Sequence, residues 1–401
     1  MTKNKTTPLT IGEMQEYFKK NNITYNDIAK AGLTYGDLGS ATEEQLDATF
    51  VLSRPVEAKQ GEQPKKYASM LQGNATMELE RVVGEIATDD IDKITGVATI
   101  SKGDVTIQLD NIGKLDIGTQ KLFNFLTIEL TKNTDHSDGT VTVPLIEYAE
   151  FCGVDASKKS SLDKHRSKAK KQLDNLYRIS LSWKEHGKKD GDFLDVRLLQ
   201  AKGIIKNGLI TVMYSDVMNK YLHSSYMMQY PTALGKLDER NPIPYTLGIK
   251  LSHYYTMDNN VKRGTNNIIK VTTLLEYLEN LIPSYDVVMS GNRNITDRII
   301  KPLVKALDVL QDAGVIKWNF CHEKKQPLTD EECAIVESDY QTFINSLIEF
   351  ELIDAPDQTE RIQANTDKAI EQKKLNDKAL ATERAKEKVK AEKKKAKQDK
   401  K

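Results

Sequence analysis

No stretch of this 401-residue sequence comes near the roughly 20 consecutive apolar residues that a bilayer-spanning helix needs. The polar start, Met1 to Tyr17, has no apolar core of the secretory-signal kind. A soluble protein that stays in the cytoplasm, with no membrane partner, is therefore expected. Cysteine is scarce: Cys152, Cys321 and Cys333 are too scattered for a disulfide framework and read as reduced thiols. Cys321, His322 and Cys333 offer three ligands without a paired spacing, so no metal is expected. Net charge is missing too, with 58 basic against 58 acidic residues, so any nucleic-acid footprint must come from local patches. The phosphate-cradling G-x-x-x-x-G-K-[ST] and G-x-G-x-x-G patterns do not occur, which argues against nucleotide hydrolysis and dinucleotide chemistry. His136, His186, His223 and His253 lack partners at useful spacing, and no acidic cluster suits two-metal cleavage. Tyr254-Tyr255 reads as an aromatic pair of the core rather than a nucleophile. A non-enzymatic chain without cofactor is the expectation.

What is present is a modular α+β pattern. The fold class expected is two tandem winged-helix domains, preceded by a small helical module and followed by a basic tail, disordered or helical. The divisions are 1–53 for the helical module, 54–77 for a linker, 78–240 for the first winged helix with its leading β-hairpin, 241–355 for the second, and 356–401 for the Lys-rich tail. In the helical module, Ile23-Thr24-Tyr25-Asn26-Asp27-Ile28 is echoed by Leu33-Thr34-Tyr35-Gly36-Asp37-Leu38, each with helix-start chemistry. The linker is rich in Gln, Gly, Lys, Glu and Pro. Ala98 to Leu109 alternates about Lys102-Gly103-Asp104, a hairpin signature. In 356–401, Lys and Arg outnumber the acids and large apolar residues are few, the mark of a solvated tail.

In the first unit, Leu122, Phe123, Leu126 and Leu130 share one helical face. Thr140 to Pro144 is a strand, Leu145 to Cys152 a helix ended by Gly153, and Ser160 opens a third helix with Asp163 completing a capping box. Strands at Ile179–Trp183 and Phe193–Leu199 follow, joined by a Lys-rich turn at 184–192, and Leu209–Met213 adds another. The second unit repeats the order: a helix at Tyr245–Met257, a strand at Ile268–Val271 and a helix from Leu274. A longer helix then runs from Asn294, with Asp297 at its capping-box position, to Gly314. Val315–Phe320 is a strand, and an apolar stretch returns at 334–353. Pro302 is expected to kink or divide the long helix.

On a wheel of 3.6 residues per turn, Leu162, Ala169, Leu173 and Leu176 form the apolar stripe of the third helix, flanked by His165 and Arg166. The opposite arc holds Lys164, Ser167, Lys168, Lys171 and Asn175, with Lys170 to one side. A thin apolar stripe with a basic outer face suits a major groove. The lysines would neutralise phosphates, and Ser167 and Asn175 would reach base edges. Lys158, Lys159 and the turn lysines Lys184, Lys188 and Lys189 extend the surface. In the second unit Ile295, Ile299, Leu303, Ala306, Leu307 and Leu310 make the buried stripe. Asn294, Arg298, Lys301 and Lys305 project from the first half of the helix, whereas Asp308 and Asp312 project from the second. That gradient opposes the helix dipole and fits recognition helices, which touch bases with their N-terminal residues. Asn292 and Arg293 precede this helix, and Lys262 and Arg263 stand beside Gly264 as loop candidates for phosphate contact. The partner expected is double-stranded DNA.

Gly118-Thr119-Gln120-Lys121-Leu122-Phe123-Asn124-Phe125-Leu126-Thr127 followed by Val141-Thr142-Val143-Pro144-Leu145 resembles the first winged helix of plasmid replication initiators. Gly264 to Val271, Asp297 to Leu303 and Gly314 to Trp318 resemble the second. The resemblance spans roughly 95–353 and leaves out the N-terminal module and the tail. It implies an iteron-binding initiator of a plasmid or mobile element that binds repeated origin sites, helps open the duplex and recruits host replication proteins such as the helicase. It also implies a homodimer that represses the initiator's own gene while the monomer binds the origin. Three other readings stay open on sequence: a winged-helix transcriptional regulator, a metal-dependent nicking enzyme, and an interaction protein whose tail does the binding.

Overall fold

The computed structural model describes residues 66–82, 97–102, 105–110, 115–132, 139–183, 194–204, 208–291, 293–323 and 325–356, together with 10, 13, 14, 16, 17 and 42. The echo at 23–38, the first part of the expected linker, the turn lysines Lys184, Lys188 and Lys189, Asn292 and the tail beyond Pro356 lie outside the described residues.

The body begins inside the stretch read as linker. β1 (Tyr67–Gln72) leads into α1 (Asn74–Arg81). Met70 and Leu71 of β1 are buried, which gives this segment an apolar anchor that its Gln- and Lys-rich flanks conceal in a compositional reading. β2 (Val97–Lys102) and β3 (Val105–Asp110) pair antiparallel with Lys102 opposite Val105, the pairing that the expected hairpin requires.

α2 (Ile117–Lys132) is buried on every side over most of its length, polar Gln120, Lys121, Asn124 and Thr127 included; a helix of that kind sits at the centre of its domain. β4 (Thr140–Pro144) and α3 (Leu145–Phe151) follow, then α4 (Lys159–Tyr177). Gly153, at φ 70°, closes α3 in the left-handed conformation, with the Val154 N–H donating back to the Ala149 carbonyl at 2.8 Å. α4 starts one residue before Ser160, with Lys158 at the cap position and no side-chain cap. The Ser160–Asp163 capping box does not form, because the chain already turns helical at Lys159.

The next strands correct the expected wing. β5 (Ile179–Trp183) pairs with β3 and with β6 (Leu194–Arg197), giving a four-stranded sheet in the order β2-β3-β5-β6. The hairpin at 179–197 is thus an addition to the leading hairpin, whose strand β3 offers an edge backed by buried Ile107 and Leu109. β7 (Leu199–Ile204) and β8 (Leu209–Tyr214) instead pair with each other, and β8 with β4, in the order β4-β8-β7. The chain changes sheets at Leu198, whose N–H donates to Ile179 of one sheet at 3.0 Å while its carbonyl accepts from Ser215 beside the other at 3.3 Å. α5 (Asp216–Ser224), β9 (Tyr226–Pro231) and a 3-10 turn at Thr232–Lys236 complete the unit, and β9 pairs antiparallel with β1.

The second unit runs α6 (Pro242–Thr256), α7 (Asp258–Arg263), β10 (Ile268–Lys270), α8 (Val271–Tyr277) and α9 (Ser284–Met289). A long helix then starts as a π turn over Thr296–Ile300 and continues as α10 (Lys301–Asp312), followed by β11 (Ile316–Cys321). The stretch expected to return as one apolar run is two short helices, α11 (Asp330–Ser338) and α12 (Tyr340–Asn345), and then β12 (Leu347–Leu352). The sheet order is β10-β12-β11. In chain order this is first, third, second, the same as β4-β8-β7.

The two units share buried contacts. Asn124 Nδ2 of α2 donates to the Tyr245 hydroxyl of α6 at 2.9 Å. Gly248 lets α6 lie close, since a Cβ there would meet Leu234 at 2.4 Å and Leu310 at 3.0 Å. The ends of the described body also meet: the Tyr67 hydroxyl donates to the Ile353 carbonyl at 2.7 Å, and Lys66 forms an ion pair with Asp354. Among the described residues no helix is long and apolar enough to cross a membrane.

Candidate nucleic-acid interface

α4 carries its basic face outward from α2. Ala169, Leu173 and Leu176 are buried as the wheel requires, joined by Gln172 and His165, while Leu162 is half-buried. His165 lies over the Tyr148 ring with centroids 4.9 Å apart, and burial pushes its imidazole down to about 4. Gln172 accepts from the Tyr148 hydroxyl at 2.8 Å. These contacts fix the rotation of α4, and so fix which side chains face solvent.

Lys159, Lys164, Ser167, Lys168, Lys170 and Lys171 are exposed, but they are not equally available. Lys168 Nζ lies 2.5 Å from Glu239 in the turn before α6, and Lys158 pairs with Asp155 at 3.0 Å. The Ser167 hydroxyl donates to the Asp163 carbonyl at 3.2 Å, a local bond that base contact would have to replace. Asn175 is the clear correction. It is half-buried, and its amide donates to Thr119 Oγ1 of α2 at 3.1 Å, so it holds the helix to the core. The wheel placed it outward because α2 passes along that flank, which periodicity does not reveal. Lys159, Lys164, Lys170 and Lys171 remain as exposed cations, Lys170 having been set to one side on sequence.

The long helix of the second unit buries Ile299, Ile300, Leu303, Ala306, Leu307 and Leu310, with Ile295 half-buried, and exposes Arg293, Asn294, Arg298, Lys301 and Lys305. The Arg298 N–H donates to the Asn294 carbonyl at 3.1 Å, which puts Asn294 at the helix start. Asp297 is engaged by Lys301 at 2.6 Å. Pro302 stands where the π turn over Thr296–Ile300 gives way to α10. Having no N–H for the Arg298 carbonyl, it is preceded by a widened turn in which the Lys301 N–H reaches Thr296 five residues back. Lys262 and Arg263 are exposed in the last turn of α7, ahead of Gly264 at φ 66°. A cation missed on sequence stands beside them: Lys325 donates to the Gly264 carbonyl at 3.2 Å and to Asn267 Oδ1 at 2.9 Å. Nothing in the sequence links a lysine between β11 and α11 to that turn.

Tyr254 and Tyr255 both tilt onto Phe350, with centroids 6.5 and 6.4 Å away, as a core aromatic pair would. Among the described residues no group of three His, Cys, Asp or Glu side chains is placed to hold a metal ion.

Residues 100–234 match the family model described as "Initiator Replication protein, WH1". This segment is similar to the WH1 domain of replication initiators. The match takes in β4, α3, α4, β7 and β8, and with them the basic helix. It supports the resemblance read from Gly118–Thr127 and Val141–Leu145, and the matched segment mixes helices and strands as a winged-helix-type domain does. No curated protein matches the chain. Two solved structures are similar in part. One, of selenomethionine derivatives of domains 2 and 3 of RctB, is 12% identical, covering 64% of this chain and 89% of its own, with a TM-score of 0.33. The other, of RctB domains 2-3, is 11% identical, covering 67% and 93%, again at 0.33.

Proposed function

We propose that this chain is an origin-binding replication initiator that reads duplex DNA with two winged-helix units. The observation that carries the reading is the coincidence of the WH1 match with the unit that presents the basic face of α4. The second unit enters by the same strand order, β10-β12-β11 after β4-β8-β7, and by a long helix whose exposed cations crowd its first half. On this reading α4 and the helix ending in α10 each enter a major groove. Lys159, Lys164, Lys170 and Lys171 would meet phosphates in the first unit; Arg293, Asn294, Arg298 and Lys305 would meet the duplex in the second, with Lys262, Arg263 and Lys325 on the backbone. Binding to repeated sites, opening of the origin, recruitment of a helicase and a repressing homodimer are the finer parts of the proposal. The chain is proposed to act by binding rather than by cutting, since Tyr254 and Tyr255 are committed to packing on Phe350.

The test is footprinting on the DNA flanking the gene, coupled to salt titration of affinity. Repeated protected sites are expected. Lys164→Ala and Lys171→Ala should each weaken binding and flatten the log affinity against log salt plot by about 0.9, as the loss of one phosphate contact does. Normal binding by the Lys164→Ala/Lys171→Ala double variant would remove α4 from the interface.

A further inference from the structure

At its C-terminal end α4 runs into the added four-stranded sheet. Lys164, Lys171 and Arg178 are spaced by seven residues, which holds them within about 20° of one line per step and places them about 10.5 Å apart along the axis. Arg178 is the residue after α4, exposed, and it lines a cleft of about 340 Å³ with Val97, Gln108, Asp110, Ser180 and Arg197.

The sheet register builds this cleft. Gln108 of β3 lies opposite Ser180 of β5, and Ser180 opposite Arg197 of β6, so an amide, a hydroxyl and a guanidinium stand side by side on one face. The opposite face is apolar, with Ile107, Leu109, Ile179 and Leu181 buried. Arg197 is exposed and rests its guanidinium 5.5 Å from the Tyr177 ring centroid. Lys202 shares that ring at 5.0 Å and is itself tied to Asp174. The tyrosine thus holds Arg197 by its flat face and leaves the N–H edge for a ligand. Among the described residues neither Arg178 nor Arg197 has a carboxylate within ion-pair distance. Among the described lining residues, Asp110, half-buried, is the acid of the cleft.

We propose that this cleft is a phosphodiester-binding notch, in which Arg178 and Arg197, assisted by Gln108 and Ser180, grip the DNA backbone beyond the groove entered by α4. Planar guanidinium groups suit a phosphate's oxygens, and the helix-borne cations lead a backbone toward them. The notch rests on the DNA-binding reading and adds to it a contact surface outside the recognition helix, supplied by strands β3, β5 and β6.

The test is fluorescence anisotropy of the full chain on a short duplex over a potassium chloride series. Arg178→Ala and Arg197→Ala should each bind several-fold more weakly and lose about 0.9 of the salt slope, while Arg197→Lys keeps the slope. Asp110→Asn should bind more tightly, because the carboxylate repels the phosphate. The arginine variants should melt like the parent, since both side chains are exposed. Lys164→Ala serves as the reference. If it flattens the slope and the two arginine variants do not, the notch is overturned and the DNA reading stands. If the parent binds no duplex, the DNA reading falls, and titration calorimetry with inorganic pyrophosphate decides the notch. Heat abolished in the Arg178→Ala/Arg197→Ala variant keeps it as a small-anion site, and no heat from the parent overturns it.

Discussion

His165 and Asn175 sit on the same helix, and only one of them was legible in the sequence. The wheel put His165 beside the apolar stripe, and it is there, against Tyr148. Its ordinary value is 6.5 and burial lowers it to about 4. Between those values the unfolded chain binds a proton that the folded one refuses. The stability it contributes is therefore full above pH 6.5 and is lost as pH falls through 4, at roughly 1.4 kcal/mol per pH unit for a single group. Chemical denaturation across that range should show the loss, and His165→Phe should reduce it. Asn175 was misplaced because a wheel gives an angle about one axis and not the neighbour standing there; the Thr119 hydroxyl supplied that neighbour. Asn175→Ala should cost about 0.5–1.5 kcal/mol in urea melts without altering which DNA sites are footprinted.

Among the elements, the long helix of the second unit was read correctly in its stripe and its Gly314 stop, but not in its first turn. Composition shows that Pro302 removes a hydrogen bond, yet kinking, dividing and widening are all remedies for that loss. A widened turn is present, and Ile299 and Ile300 within it are both buried. Pro302→Ala restores the donor and should let the turn relax to α geometry, rotating the residues ahead of it by about 100° relative to α10. The expected result is a folded variant whose DNA binding falls as much as that of Arg298→Ala; unchanged binding would show that the turn does not set the direction of Arg298. The added hairpin of β5 and β6 was misread for a different reason. Strand patterns announce strands, but an edge such as β3 competes for them with every other edge in the molecule.

At the scale of the whole molecule, the seal between the units is hidden in the sequence, because its members come from separate segments. Glu80 of α1 is fully enclosed, with Asn124 of α2 donating to it at 3.4 Å and Gln72, Tyr277 and Lys250 around it. Lys250 Nζ lies over the Tyr277 ring at 4.6 Å. Burial raises the Glu80 carboxyl from 4.5 to about 8, so the folded state keeps a proton that the unfolded chain releases. The resulting stability is complete below pH 4.5 and is lost as pH rises through 8, again near 1.4 kcal/mol per unit. Glu80→Gln, which keeps the shape and the neutral form, should flatten that slope and raise the melting temperature at pH 8. An unchanged pH profile would mean that Glu80 is ionised in the seal.

The closure of Lys66 on Asp354 and of Tyr67 on Ile353 fastens the two ends of the described body to each other, however far apart they stand in the chain. A loss of order at one end therefore takes a partner from the other.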